Sequence, residues 1–137
     1  MRFMLDLAAH TDERAVSLGD VAGRQGISEK YLWQIVNPLK AAGIVQAVRG
    51  AYGGYRLARA PHTLTVREIL TAIEGSLALT DCAEDDASCD LGATCVVRQM
   101  WKSLTDTLAR AMEDITLGDL LDRYRAAQKA ESLTYDI

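Results

Sequence analysis

Residues 17–57 read SLGDVAGRQGISEKYLWQIVNPLKAAGIVQAVRGAYGGYRL, and the change of hydrophobic period within this stretch decides the fold. Ser17 is a helix-capping type, Leu18, Val21 and Ala22 fall on one helical face, and Gly26 suits the closing turn. Ile27 then enters a tight bend. Ser28 can cap the next helix, in which Tyr31, Leu32, Ile35, Val36 and Leu39 recur at helical spacing and Gly43 is suited to a left-handed cap. Pro38 lies inside this span and is expected to kink or loosen it. From Ile44 the period drops to two, with Ile44, Gln46 and Val48 alternating against Val45, Ala47 and Arg49. A Gly-rich link, Gly50-Ala51-Tyr52-Gly53-Gly54, leads to a second extended run, Tyr55-Arg56-Leu57, and so predicts a β-hairpin. Upstream, Phe3, Met4, Leu7 and Ala8 predict a short helix ending near His10, followed by a polar turn, Thr11 to Arg14. Three helices, the last two joined by a tight bend, and then a basic hairpin read as a winged helix-turn-helix.

Downstream, Thr65 followed by Glu68 has the form of a capping box, opening a helix with Val66, Ile69, Leu70 and Ile73 inward and Gly75 past its end. Thr80 to Thr94 has no usable periodicity, is rich in Asp and Glu and holds all three cysteines, so an irregular loop is expected. A long helix is expected from about Cys95. Its Val97, Trp101, Leu104, Leu108, Ala111 and Ile115 follow the spacing of a coiled-coil seam. Thr116 to Asp119 interrupts that pattern, and Leu120, Leu121 and Tyr124 start a last, short helix. The predicted class is mainly α with a small β-hairpin wing. Residues 1–79 form a winged helix-turn-helix DNA-binding domain, 80–95 a cysteine-containing sensor loop, and 96–137 a dimerisation helix with a C-terminal helix. Val97, Trp101, Leu104, Leu108 and Ile115 would leave an apolar stripe on a monomer, and burying each large side chain is worth ~1.5–3 kcal/mol. A homodimer is therefore expected, the alternative being that the helix packs back on its own domain; Trp101 suits either.

The 137 residues, 49% hydrophobic and 25% charged, make one compact domain or a small domain with a helical module. A large multidomain enzyme and wholesale disorder are excluded. No apolar run approaches the ~18 residues that cross a bilayer, and the opening Met1 to Leu7 is broken by Asp6 and lacks a signal-type cleavage site. A cytoplasmic protein with no membrane partner is expected. His10 and His62 lie in or beside turns, and no Ser-His-Asp or Cys-His set is legible, so the chain does not read as an enzyme.

The net charge of −4 looks wrong for binding nucleic acid until it is divided: residues 1–16 balance at −1, 17–60 at +4 and 61–137 at −7. A basic block followed by an acidic one points to an anionic partner for the first part, although solvated faces can acquire such asymmetry by chance. Ser28, Glu29, Lys30, Trp33 and Gln34 lie off the face set by Leu32, Ile35 and Val36. Gln34 is placed to bond an adenine edge, and Ser28 or Tyr31 a phosphate. Arg49 precedes a loop with three glycines, which lets backbone approach phosphates and an arginine reach a minor groove. The plainer alternative is that Gly53 and Gly54 serve turn geometry and that Tyr52 and Tyr55 are core edges.

Three cysteines, an odd number, argue against a disulfide framework. Their spacing, Cys82-x6-Cys89-x5-Cys95, matches no common zinc ribbon. Thiolates on one flexible loop can wrap an iron–sulfur cluster, can serve as redox-sensing thiols, or can simply pack as small hydrophobes. Asp81, Glu84, Asp85, Asp86 and Asp90 would raise the thiol pKa values, an effect a bound metal reverses.

Gln25 to Leu32, the wing Arg49 to Tyr55, the three-cysteine loop and Ile115-Thr116-Leu117-Gly118-Asp119-Leu120 together resemble the iron–sulfur transcriptional regulators of the IscR and NsrR type. The resemblance covers almost the whole chain, and the RGxxGGY wing is its most specific part. It implies a homodimeric factor with a crossed long helix that binds palindromic operators in double-stranded DNA and responds to cluster status. Cys82, Cys89 and Cys95 would be the ligands of a 2Fe-2S or 4Fe-4S cluster, and Ser28, Lys30, Tyr31, Gln34, Arg49, Tyr52 and Gly53 would face DNA. Arg98 stands where that family places a histidine as fourth ligand, and Trp33 stands where several of its members have glutamate. Cluster-free relatives of the CymR type imply an alternative, sensing by thiol oxidation or by a protein partner.

Overall fold

The computed structural model describes residues 1–10 and 14–136. Its helices are α1 (Arg2–His10), α2 (Leu18–Gln25), α3 (Glu29–Ala41), α4 (Val66–Glu74), α5 (Asp81–Glu84), α6 (Val96–Glu113) and α7 (Leu117–Tyr135). Strands β1 (Val45–Val48) and β2 (Gly54–Leu57) pair antiparallel between α3 and α4, with Val45 opposite Leu57 and Ala47 opposite Tyr55. The chain is thus mainly helical with a hairpin wing, the predicted winged helix-turn-helix followed by a long helix. The polar turn expected at Thr11 to Arg14 lies, except for Arg14, outside the described residues.

Local chemistry sets the helix ends. Ser17 and Ser28 accept from the backbone N–H of Asp20 and Tyr31, both at 3.1 Å, so each hydroxyl satisfies a donor that the first turn leaves open. Gly26 closes α2 at φ 61°, a left-handed conformation in which a side chain would be strained. Pro38 is carried inside α3 and withholds the N–H that the Gln34 carbonyl would otherwise take.

The core gathers Phe3, Met4 and Leu7 of α1, Leu18 and Val21 of α2, Leu32, Val36 and Leu39 of α3, Tyr55 and Leu57 of β2, and Ile69 of α4. Leu117 and Leu121 of α7 belong to the same cluster. The first turn of α7 is therefore packed with the helices of the winged domain, not with α6, because the chain returns to α1 after α6 ends. A short ladder makes the return: Val66 N–H donates to the Ile115 carbonyl and Leu117 N–H to the Leu64 carbonyl, both at 2.8 Å.

Two capping details differ from the sequence reading. Thr65 does accept from the Glu68 N–H, but the Glu68 carboxylate is drawn away to Arg59, so the box is not reciprocal. The reciprocal box lies at Thr116, where the sequence suggested only an interruption: Asp119 N–H donates to Thr116 Oγ1 at 3.0 Å and Thr116 N–H to Asp119 Oδ2 at 2.9 Å. That bond from the Thr116 N–H holds the Asp119 carboxyl below the usual range. With this start, α7 runs to Tyr135 and is far longer than the short helix expected. The stretch 80–94 is largely irregular, as expected, but contains the single turn α5 and two 3₁₀ turns, Asp86–Ser88 and Gly92–Thr94.

One buried charge joins α1 to α2. Asp6 is 3% exposed and receives Arg24 Nε at 3.0 Å, Arg24 Nη2 at 2.6 Å and Gln25 Nε2 at 2.9 Å. Burial pushes its pKa up, but the hydrogen bonds from Arg24 and Gln25 and the Arg24 charge outweigh this and leave it lowered. Its native pKa is thus below the unfolded one, so its contribution is complete above about pH 4 and is lost as pH falls through the depressed value. Asp6→Ala should cost about 2–3 kcal/mol at neutral pH, read as a lower midpoint in urea, and the gap to the unaltered protein should close at strongly acid pH.

Candidate nucleic-acid interface and cysteine segment

The candidate reading face is built on α3. Ser28, Lys30, Tyr31 and Gln34 are all exposed along its first turns, while Leu32 and Val36 are buried beneath them. Amphipathic spacing therefore turns polar side chains outward at the end of a helix that a major groove can admit. The Ser28 hydroxyl is already engaged as acceptor in the cap, which leaves its own hydrogen free to donate. Trp33 is 49% exposed and meets Tyr55 of β2 edge to face, ring centroids 6.4 Å apart and planes at 87°. The contact fixes recognition helix against wing.

In the wing, Arg49 and Tyr52 are exposed, Tyr52 at 76%. Tyr55, by contrast, is buried, so the two tyrosines flanking Gly53 and Gly54 have separate places. Both glycines are needed for close approach rather than for a turn alone. A Cβ on Gly53 would collide with the Val48 carbonyl oxygen, and one on Gly54 with the Val16 carbonyl oxygen of the link before α2. Val16 runs beside β2 because Val16 and Tyr55 exchange backbone hydrogen bonds, each 2.8 Å long.

The three cysteines lie along the segment before α6: Cys82 in α5, Cys89 just after the 3₁₀ turn Asp86–Ser88, and Cys95 as the residue capping α6. All three are free thiols of intermediate exposure. Thr80 Oγ1 lies 3.2 Å from Cys82 Sγ. Among the described residues no three Cys, His, Asp or Glu side chains are arranged to hold a metal ion. As a donor set the thiols fit an iron–sulfur group in chemistry, being soft, partly accessible and free of disulfides, and would supply three ligands if brought together. A fourth protein ligand does not come from Arg98, whose guanidinium has no lone pair to give.

Arg98 has another employment. It is 7% exposed, its Nε donates to the Cys82 carbonyl at 2.8 Å, and its Nη2 pairs with the Asp86 carboxylate. A charge brought this far out of water needs such partners. Sequence reasoning treated the acids of this segment as a charge against the thiols or as a source of a fourth ligand, and missed that Asp86 neutralises a buried cation. The interval of three between Cys95 and Arg98, which puts Arg98 on the α6 turn nearest the segment, was the available signal.

The seam expected on α6 is divided by the structure. Val97, Leu104 and Leu108 are 58%, 46% and 42% exposed, and Met100, which the heptad reading passed over, shares their face at 46%. Trp101 is half-buried, at the flank where Arg98, Thr105, Ala109 and Met112 face the domain. Ile115 lies beyond the helix end, half-buried, with its carbonyl committed to Val66. It does not continue the stripe.

Comparison with known proteins accords with these features. The family model Rrf2, described as an iron-dependent transcriptional regulator, matches residues 1–123. The HTH-type transcriptional regulator IscR of Vibrio campbellii is 36% identical over 118 residues, covering 86% of this chain and 70% of that one. Among solved structures, IscR of T. potens superposes with a TM-score of 0.76 at 38% identity, covering 93% of this chain and 83% of the other. CymR, described as the global cysteine regulator of B. subtilis, superposes at 0.73 with 31% identity, covering 89% of each chain.

Arg98→Met should remove the tie between α6 and the cysteine segment. Amide exchange across 82–89 should quicken roughly tenfold for each ~1.4 kcal/mol of lost local stability, with exchange in α3 unchanged; equal quickening in both would mean a general loss of fold.

Proposed function

Because this chain belongs to the Rrf2 family of transcriptional regulators, we propose that it is a homodimeric cytoplasmic regulator whose hold on a palindromic operator in double-stranded DNA is set by an iron–sulfur cluster on Cys82, Cys89 and Cys95. Its relatives are transcriptional regulators, and it is a regulator, not an enzyme. The observation that carries the reading is the joining of the two halves: α3 and the wing present Lys30, Gln34 and Arg49 to solvent, while three free thiols lie along the one segment that leads into α6.

Cys82, Cys89 and Cys95 would hold the group, which when bound supplies iron–thiolate bonds that depend on redox state. The protein's part is mechanical. Cys95 fixes one ligand to the first turn of α6, and Cys82 lies in a segment that Arg98 docks on the same helix. Ordering or releasing residues 80–95 thus changes the load on the start of α6. In a dimer joined through Val97, Met100, Leu104 and Leu108, such a change alters the spacing of two α3 helices over half-sites about one DNA turn apart.

A second reading has its own support. The three thiols are free and are not gathered into a ligand group, and a relative of 31% identity is described as a cysteine regulator. On that reading thiol oxidation or a protein partner replaces the cluster.

Protein purified without oxygen should be brown, with iron and sulfide in comparable amounts; a colourless product holding zinc alone rules out the cluster. Replacing all three cysteines with serine should abolish colour and the effect of air on DNA binding, whereas a partner-sensing regulator keeps its response. For the dimer, Leu104→Glu sets a charge in the apolar stripe and should halve the mass measured by sedimentation. A dimer that survives this change would place the interface elsewhere.

A further inference from the structure

The guanidinium carbon of Arg14 lies 5.0 Å from the centroid of the Tyr52 ring. The two residues come from different elements: Tyr52 from the tip of the wing, Arg14 from the link that precedes α2. Both are exposed, Tyr52 at 76%. A pair of exposed side chains brought together by chance would have little meaning, but here the backbone holds them in place. The antiparallel bridge between Val16 and Tyr55 lays the link alongside β2. Gly54 admits that approach, since a side chain there would strike the Val16 carbonyl. Arg14 is thus two residues from a fixed point and Tyr52 three.

Arg14, Ser17, Asp20, Tyr52 and Gly53 line a shallow hollow of about 340 Å³ on the side of the wing. Asp20 belongs to the first turn of α2, where a carboxylate is favoured by the helix dipole. A guanidinium held over an aromatic face interacts through its charge and its flat surface, so the N–H groups at its edge stay available to a second partner. Two parallel N–H donors at that edge match two oxygens of a phosphate. The stacking also removes much of the freedom that a surface arginine otherwise loses on binding.

We propose that Arg14 is a DNA phosphate contact held in position by Tyr52, so that residues 14–17, leading into α2, form a third element of the nucleic-acid interface beside α3 and the wing. The inference rests on the DNA-binding reading above and extends it to a residue outside both expected elements. Charge partition hid it, because Arg14 falls in the opening segment whose balance is −1. The contact recognises backbone rather than bases, so it contributes to grip and register and carries no sequence preference of its own.

The test is the salt dependence of binding by the full chain to a labelled random-sequence duplex about three helical turns long. Arg14→Ala should make the slope of log K against log salt shallower by about 0.9 for each Arg14 that touches phosphate, with affinity falling several-fold. Arg14→Lys should restore the slope. Tyr52→Leu should weaken binding in the unaltered background and add little in the Arg14→Ala background, as a positioning role requires. An unchanged slope in Arg14→Ala overturns the contact. An effect of Tyr52→Leu that is undiminished in the absence of Arg14 overturns the positioning. Failure of the unaltered chain to bind duplex at low salt overturns the DNA-binding reading and this inference together. Thermal melting of each variant should match the unaltered protein, since both side chains are exposed.

Discussion

The architecture depends on the return of the chain to its own core after α6. Two backbone hydrogen bonds, Val66 to Ile115 and Leu117 to Leu64, fix the end of the long helix to the segment before α4, and Leu117 is then fully buried. At the other end Arg98 is buried between α6 and the cysteine segment. A helix fastened at both ends cannot turn about its axis. One face, with Arg98, Trp101, Thr105 and Ala109, is committed to the domain, and Val97, Met100, Leu104 and Leu108 are left outward. An apolar row on an immobilised helix is a surface with a set orientation, which is what a two-fold pair of DNA-binding heads requires.

The same constraint joins the sensor segment to the reading head. Cys82 and Cys95 are tied to α6, one through the Arg98 bond to its carbonyl and the other as the residue before the helix, so any influence of theirs on α3 would pass through α6. Helix α4 connects α6 to the core: Ile69 of α4 is fully buried, and Arg67 of α4 meets Glu113 of α6 at 2.6 Å on the surface. On the proposed mechanism, a change in the order of residues 80–95 would be felt as a displacement of a whole helix rather than as a local loosening. The acid-rich character of the segment has a structural side as well, because one of its acids neutralises a cation that is almost wholly withdrawn from water.

At the wing, a short hairpin that would be marginal in isolation is stiffened from two directions. Trp33 presses on Tyr55 from the recognition helix, and Val16 pairs with Tyr55 from the link before α2. Tyr55 is thus the joint at which helix, wing and link meet. Its burial makes it a core edge and leaves Tyr52 exposed at the tip.

Much of this was legible in sequence. The change of period at Ile44, the serines at 17 and 28 and the glycine at 26 are short-range signals, and each acts within a few residues of where it is written. Helices α1 to α3 and the hairpin consequently fall where the pattern puts them. Other features turned on what lies opposite in space. Glu68 had a local role as a capping carboxylate available to it, but Arg59 competes for it and wins. Ile115 fits a heptad repeat by spacing, yet it belongs to a backbone ladder because the chain reverses there. Arg98 reads as a misfit among presumed ligands until the Asp86 carboxylate and the Cys82 carbonyl are seen beside it. Periodicity reports which way a side chain points along its own element, and it carries no record of which distant group it will meet. The sequence by itself therefore determined helices α1 to α3, the hairpin and the caps at Ser17 and Ser28. Only the tertiary structure decided the partners, because partnership between residues tens of positions apart is settled by how whole helices pack.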